Sequence, residues 1–276
     1  MIDWTDAFDN SSYVPGSDKL AGLWSDAASA YRDRAMPAGR ARLDIPYGPG
    51  PRNRFDLFLP GTEPKGLIVF IHGGYWKALD RSFWSHMAAG PLSHGWAMAI
   101  PSYTLAPEAR ISEITREIGA AITAAAGEVP GPIRIIGHSA GGHLVSRMLC
   151  RSGPLDSPVL DRLERAISVS GIHDLRPLLQ TDMNETLRLS EAEAEAESPA
   201  LQDPHGTIPI YFWVGAAERP ELVRQTRLIG EIWGAKGADT SEVYEPGQDH
   251  FSVISALADA ESPLVNTLTA PKKVTS

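Results

Sequence analysis

Eight short runs of aliphatic, β-branched and aromatic residues mark this chain, at positions 43–47, 54–59, 67–71, 96–102, 133–136, 166–170, 208–214 and 242–244. Several are apolar at nearly every position, the pattern of strands covered on both faces in a largely parallel sheet. Helical stretches at 111–127, 141–151 and 220–233 separate the later runs. Strands alternating with helices predict a three-layer α/β domain: a mostly parallel, eight-stranded sheet flanked by helices. A length of 276 residues with 43% hydrophobic content is enough to bury a full core and suits one catalytic domain over 1–276.

Two segments fall outside the alternation, 1–40 and 175–205, and both are expected to cover the open end of the sheet as a small lid. The Ala-Glu alternation at 191–197 reads as a solvated helix, since both residues are good helix formers. The last residues, 270–276, with Lys272 and Lys273, read as a flexible tail. A formal charge of −9 gives a phosphate backbone little to hold, which excludes nucleic acid as a partner. No stretch approaches the roughly 20 apolar residues that cross a bilayer, and residues 1–10 lack the apolar core of a signal peptide. Cys150 is the single cysteine, so no intrachain disulfide forms, and it reads as a buried spectator. These features predict a cytoplasmic protein with no membrane partner. A homodimer is compatible with such a chain, whose oligomeric state the sequence does not fix.

Gly137-His138-Ser139-Ala140-Gly141-Gly142 follows the apolar run 133–136 and opens the next helix. The pattern G-x-S-x-G is common by chance; its place between strand and helix is what gives it meaning. A serine presented on a strained strand-to-helix turn needs small neighbours, because the backbones pass close together, and these residues supply the room. The helix start also leaves N–H groups free beside the serine, where negative charge would develop on a substrate oxygen.

A second glycine turn, His72-Gly73-Gly74-Tyr75-Trp76, follows the run 67–71. At the carboxyl end of an earlier strand, such a turn supplies main-chain donors to a tetrahedral oxyanion, and a side chain there would keep the carbonyl away. The expected donors are the N–H groups of Gly73, Gly74 and Ala140, with His72 bracing the loop. These two motifs, together with Gly171-Ile172-His173-Asp174-Leu175-Arg176-Pro177 and Asp249-His250-Phe251, resemble the kynurenine formamidase-like (arylformamidase-like) group of the α/β-hydrolase superfamily. That group is related to the hormone-sensitive-lipase-type esterases, and the resemblance spans roughly 68–251. It implies the α/β-hydrolase fold and a serine-dependent hydrolase without metal or other cofactor, acting on a small aryl formamide or ester.

Of eight histidines, only His250 lies beyond the last strand on a polar turn, where the chain order serine, acid, histidine places the general base. A neutral imidazole there accepts the serine proton. The family carries an Asp after the seventh strand; here that loop reads Gly215-Ala216-Ala217-Glu218-Arg219-Pro220-Glu221, and Glu218 takes the position. Its extra methylene asks for a displaced backbone. Asp174 is the alternative acid, whereas Asp249 adjoins His250 and is badly placed to reach its ring. His138 and His143 are five apart, poor spacing for a shared metal.

Tyr75, Trp76, His138 and Phe251 are the expected substrate contacts, with Trp84, Tyr103 and Trp213 in neighbouring loops or in the core. They favour a small-molecule substrate with an apolar or aromatic group, and Lys77 or Arg176 is the cation nearest to hand for a substrate carboxylate. The expectation is a serine carboxylic ester hydrolase or arylformamidase-like hydrolase working through an acyl-enzyme, with kynurenine formamidase proper as the narrower reading. The rival is a non-catalytic ligand-binding homologue, since a fold does not fix a function.

Overall fold

All eight apolar runs form strands. In the computed structural model, which describes residues 2–272, three helices come first: α1 (Trp4–Phe8), α2 (Asn10–Tyr13) and α3 (Leu20–Ala35). The strands are β1 (Ala41–Pro46), β2 (Arg54–Phe58), β3 (Leu67–Ile71), β4 (Ala97–Pro101), β5 (Ile133–His138), β6 (Leu163–Val169), β7 (Ile210–Gly215) and β8 (Thr240–Glu245). They make one sheet in the order β1-β2-β4-β3-β5-β6-β7-β8. Only β2 runs against its neighbours, β1 and β4; the other pairings are parallel.

Alternation along the central strands sends side chains to two separate cores. Leu67, Val69 and Ile71 of β3 face one core with Ile114, Ile118 and Ile122 of α4 (Ile111–Glu128). Ile68 and Phe70 face the other, with Trp84, Val253 and Leu257. All five β3 residues are buried, which explains why the run shows no polar alternation. The apolar face of α4 repeats at Ile111, Ile114, Ile118 and Ile122, the three- and four-residue spacing of a helix laid on a sheet.

The remaining helices used below are α5 (Ala140–Met148), α6 (Glu191–Ala196), α7 (Pro220–Ala235), α8 (Ser252–Ser255) and α9 (Pro263–Thr269). The topology sets the position of the site. Chain order turns back on the sheet between β3, β4 and β5, and in open α/β sheets ligands lie beyond the carboxyl ends of the strands at such a switch point. The loops after β3, β5, β7 and β8 all emerge at that end.

Strand β6 begins three residues before the sequence run 166–170, because the polar residues at its start, Glu164 and Arg165, find partners: Glu164 pairs with Arg134 of β5 at 3.5 Å. Arg165 caps the end of α9, donating to the carbonyls of Thr267 at 2.6 Å and Ala270 at 2.9 Å. Arg134 of β5 donates to Leu268 at 2.6 Å and stacks 4.0 Å over the Trp96 ring. Arg165 also reaches the carbonyl of Pro271, so the start of the segment read as a flexible tail is anchored; 273–276 lie outside the described residues.

The reading of 191–197 as a solvated helix is corrected. Helix α6 forms, but its i, i+4 spacing puts Glu193 and Glu197 on one buried face. Arg110 donates to Glu193 at 2.9 Å, and Arg147 donates to Glu197 at 3.0 Å. Thr115 bonds the same Glu197 carboxylate at 2.6 Å, which pins the insertion to α4 and α5.

Candidate active site

The turn after β5 bends sharply at Ser139, whose φ of 56° and ψ of −117° lie outside the ordinary regions. Such a backbone costs about 1–3 kcal/mol and persists only where its surroundings hold it. Here the Ser139 N–H donates to the carbonyl of Val169 at 2.8 Å, and helix α5 begins at the next residue. A Cβ on Gly141 would stand 1.9 Å from the carbonyl oxygen of Ile71, so strand β3 and helix α5 approach this closely only because residue 141 has no side chain.

The loop after β3 packs on that turn. A Cβ on Gly73 would lie 3.1 Å from Cβ of Ser139 and 2.9 Å from the carbonyl of His138, which sets the Gly73 main chain against the serine. Gly74 turns with φ of +111°, its carbonyl accepting from the N–H groups of Lys77 and Ala78 at 3.0 Å each. Among the described residues, no protein acceptor takes the N–H of Gly73 or Gly74. Ala140, as the first residue of α5, has an N–H with no partner inside its own helix. His72 stiffens the loop from behind: Nδ1 bonds the Gly73 carbonyl at 2.7 Å, and the ring stacks on Tyr103 at 4.4 Å. Complete burial pushes His72 down to about 4, against the opposing effect of that bond, so it stays neutral.

His250 sits between β8 and α8. Its Nδ1 lies 2.7 Å from Oε2 of Glu218. A carboxylate oxygen accepts, so Nδ1 carries the proton and Nε2 is left with a lone pair. Glu218 solves the problem of its extra methylene by recoiling across its own turn. Its N–H donates to the Gly215 carbonyl at 3.1 Å, while Oε1 accepts from the Gly215 N–H at 2.8 Å and from the Ser170 hydroxyl at 2.5 Å. With three donors on two oxygens, the carboxylate is fixed in orientation at 4% exposure.

His138 links the two halves of the arrangement. Its Nε2 donates to the main-chain carbonyl of His250 at 2.8 Å, and the two rings are 4.7 Å apart. Burial, then the neighbouring His250, hold His138 well below the usual histidine range, which leaves it neutral. Ser139, His250, Gly73, Gly74, His138, Tyr75 and Phe251 all line one cavity of about 260 Å³. Trp84 and Leu79 add apolar walls, and Lys77 stands at the rim. The arrangement combines a strained hydroxyl, an imidazole oriented by a carboxylate and main-chain donors beside them, which are the parts of acyl transfer through a covalent serine.

Several sequence expectations are corrected. Trp76 is not at the cavity: it is wholly buried, edge-on to His143 with ring centres 5.1 Å apart. Its backbone follows Tyr75 in the left-handed region, φ 48° and then 55°, which turns the indole into the core. Asp174 does not reach His250. Burial opposes its ionisation, but bonds from the Arg176 side chain and main chain outweigh that and hold it below the carboxylate range. Asp249, as expected, does not serve the ring; it accepts from the N–H groups of Phe251 and Ser252 at 2.9 and 2.8 Å. Tyr103 and Trp213 are core residues. Segment 175–205 contributes no cavity residue, whereas the N-terminal segment contributes Ser11, Ser17, Ala21 and Trp24.

Ser170 and Trp24 escaped the sequence reading. A polar residue ending the buried strand-like run 166–170 was the available signal for Ser170; nothing near Trp24 indicates where its helix docks. Cys150 is buried and pushed up to about 11 by burial. Among the described residues, no three His, Cys, Asp or Glu side chains converge as a metal site. No helix there is long and apolar enough to cross a membrane.

A family model described as the alpha/beta hydrolase family matches residues 68–270. The chain belongs to that family. It is similar to a crystal structure from Silicibacter sp., provisionally described as a thioesterase, with 46% identity and a TM-score of 0.91. That match covers 98% of this chain and 100% of the other. It is also 28% identical to the kynurenine formamidases of Salmo salar and Danio rerio, over 86% of this chain and 83% of each relative. The resemblance read in the motifs is thereby borne out, as is the eight-stranded fold class.

Proposed function

We propose that this protein is a serine hydrolase that cleaves small carboxylic esters or aryl formamides through an acyl-enzyme. The single observation carrying the residue roles is that Ser139, on its strained turn, and His250 line one cavity, with Glu218 bonded to Nδ1 of His250 at 2.7 Å. In the reaction, Nε2 of His250 takes the hydroxyl proton as Oγ of Ser139 bonds to the carbonyl carbon. The oxygen becomes an oxyanion facing the N–H groups of Gly73, Gly74 and Ala140. Collapse breaks the bond to the leaving alcohol or amine, which receives the proton from His250. Water then repeats the sequence on the acyl-serine, giving the acid and free hydroxyl.

Tyr75, His138 and Phe251 would contact the substrate, and the apolar walls suit an aryl or alkyl group. The kynurenine formamidase relatives favour a formamide, and the thioesterase-like neighbour favours broader acyl transfer. The imidazole held by Glu218 in the cavity that Ser139 lines weighs against a non-catalytic ligand-binding homologue, which has no need of an oriented imidazole. A fluorophosphonate probe tests the reading: the expected result is a covalent adduct at Ser139, absent in Ser139→Ala. Folded wild-type protein that takes no label would refute it. Aryl esters screened against N-formyl aromatic amines then separate the two substrate classes.

A further inference from the structure

Arg219 follows Glu218 directly, yet its guanidinium serves a different part of the molecule. Nη1 and Nη2 reach the two carboxylate oxygens of Asp6 at 3.0 and 2.9 Å. Nε donates to the carbonyl of Asp9 at 2.7 Å, and Nη2 also reaches the hydroxyl of Ser12 at 3.3 Å. The guanidinium carbon lies 4.9 Å from the centre of the Tyr13 ring. A planar group with five donors meets three acceptor residues and an aromatic face at once, which a lysine does not do. A second tether comes from the loop after β3, where the Tyr75 hydroxyl donates to the Phe8 carbonyl and accepts from Asn10 at 2.8 Å.

Helices α1 and α2 have five and four residues, far below the length at which a helix stands alone in water. Their position therefore depends on these tethers together with Phe8, which is wholly buried in the core. The segment they hold leads into Ser11, Ser17, Ala21 and Trp24, which line the cavity together with the glycine loop. Trp24 in turn packs on Trp84 at 4.8 Å and on Phe251 at 6.0 Å.

We propose that Arg219 is a positioning residue for substrate specificity: through Asp6 and Asp9 it docks the N-terminal segment as a roof, so that Trp24 completes an aromatic wall for the substrate's apolar group. The proposal rests on the hydrolase reading above. It assigns to one loop two separate tasks, Glu218 orienting the imidazole and Arg219 fixing the roof.

The test uses the full chain as wild type, Arg219→Ala, Asp6→Ala and the double variant. Asp6 is distant in sequence from Glu218 and its carboxylate is largely exposed, so its removal leaves the acid's own partners in place. Amide exchange over residues 3–24, read by mass spectrometry, is expected to quicken about 10-fold in Arg219→Ala, which loses several charge-assisted bonds. Asp6→Ala loses one exposed partner, and about 3-fold is expected. The double variant is expected to match Arg219→Ala, because the two side chains act through each other. In turnover assays the ratio of KM for phenyl acetate to KM for ethyl acetate is expected to rise about 10-fold in Arg219→Ala, the signature of lost binding rather than lost chemistry. Unchanged exchange overturns the proposal. So does an equal fall in kcat on both esters with the KM ratio preserved, which would trace to Glu218 alone. A wild-type chain that neither turns over esters nor labels at Ser139 defeats the hydrolase reading instead, and exchange still decides whether Arg219 docks the roof.

Discussion

Replacing Glu218 by glutamine keeps the side-chain volume and removes one acceptor. In the wild-type site Oε1 receives the Gly215 N–H and the Ser170 hydroxyl, while Oε2 receives Nδ1–H of His250. An amide offers one oxygen and one NH2 to the same three partners. The Gly215 N–H is a main-chain donor with nothing to accept with, so the amide oxygen stays on its side; flipping leaves that buried donor facing an NH2, at a cost of about 1–3 kcal/mol. The NH2 then faces Nδ1 of His250 and selects the tautomer with its proton on Nε2. That imidazole cannot take the proton of Ser139. In Ser-His-Asp hydrolases the same carboxylate-to-amide change lowers kcat by about 10⁴ through the wrong tautomer, equivalent to about 5.4 kcal/mol at ~1.36 kcal/mol per decade. The expected result for Glu218→Gln is therefore a fall of about 10³–10⁴ in kcat on an aryl ester, with KM little changed. Single-turnover acylation and the rate of fluorophosphonate labelling, on protein with wild-type circular dichroism, measure it. Activity within ten-fold of wild type would refute the tautomer argument and remove Glu218 from the relay.

Two further outcomes follow from the same geometry. Gly73→Ala puts a methyl 3.1 Å from Cβ of Ser139 and 2.9 Å from the His138 carbonyl, moving a donor off the oxyanion; kcat is expected to fall about 10²–10³, and unaltered kcat would take this loop out of the chemistry. Stability should depend on pH through the histidines that burial pushes down; three of these are His72 and His143, to about 4, and His173, to about 3. In the unfolded chain each protonates near its ordinary value of about 6.5, so the unfolded state binds more protons below that. The stability they contribute is complete above pH ~6.5 and is lost as pH falls to ~4 for His72 and His143 and to ~3 for His173. The slope approaches ~4 kcal/mol per pH unit when all three act together. Urea midpoints at pH 7.5 and 5 measure it, and equal midpoints would refute it.

The parallel core was legible because strands buried on both faces leave unbroken apolar runs, as in Leu67–Ile71, and no other element of this length does so. The candidate serine and histidine could be picked out because the proposed chemistry asks for each at a fixed place at the carboxyl end of a strand. What escaped depends on tertiary partners. Glu193 and Glu197 look solvated until Arg110 and Arg147 are seen opposite them. Trp76 belongs to a specific motif, but motif membership does not state χ angles, and a left-handed backbone at Tyr75 and Trp76 sent the indole inward. The split between the two suspected covers was equally invisible. Segment 175–205 is drawn to α4 and α5 by buried carboxylates, whereas the N-terminal residues are held at the cavity by Arg219, by the Tyr75 hydroxyl and by the packing of Trp24 on Trp84.

The bond from the His138 ring to the main chain of His250 has a kinetic meaning. Neighbouring residues at one turn, His138 and Ser139, are thereby fastened to the loop bearing the imidazole. In the proposed mechanism an incoming acyl compound would meet groups already tied together, and little of its binding energy would be spent on bringing distant loops into line.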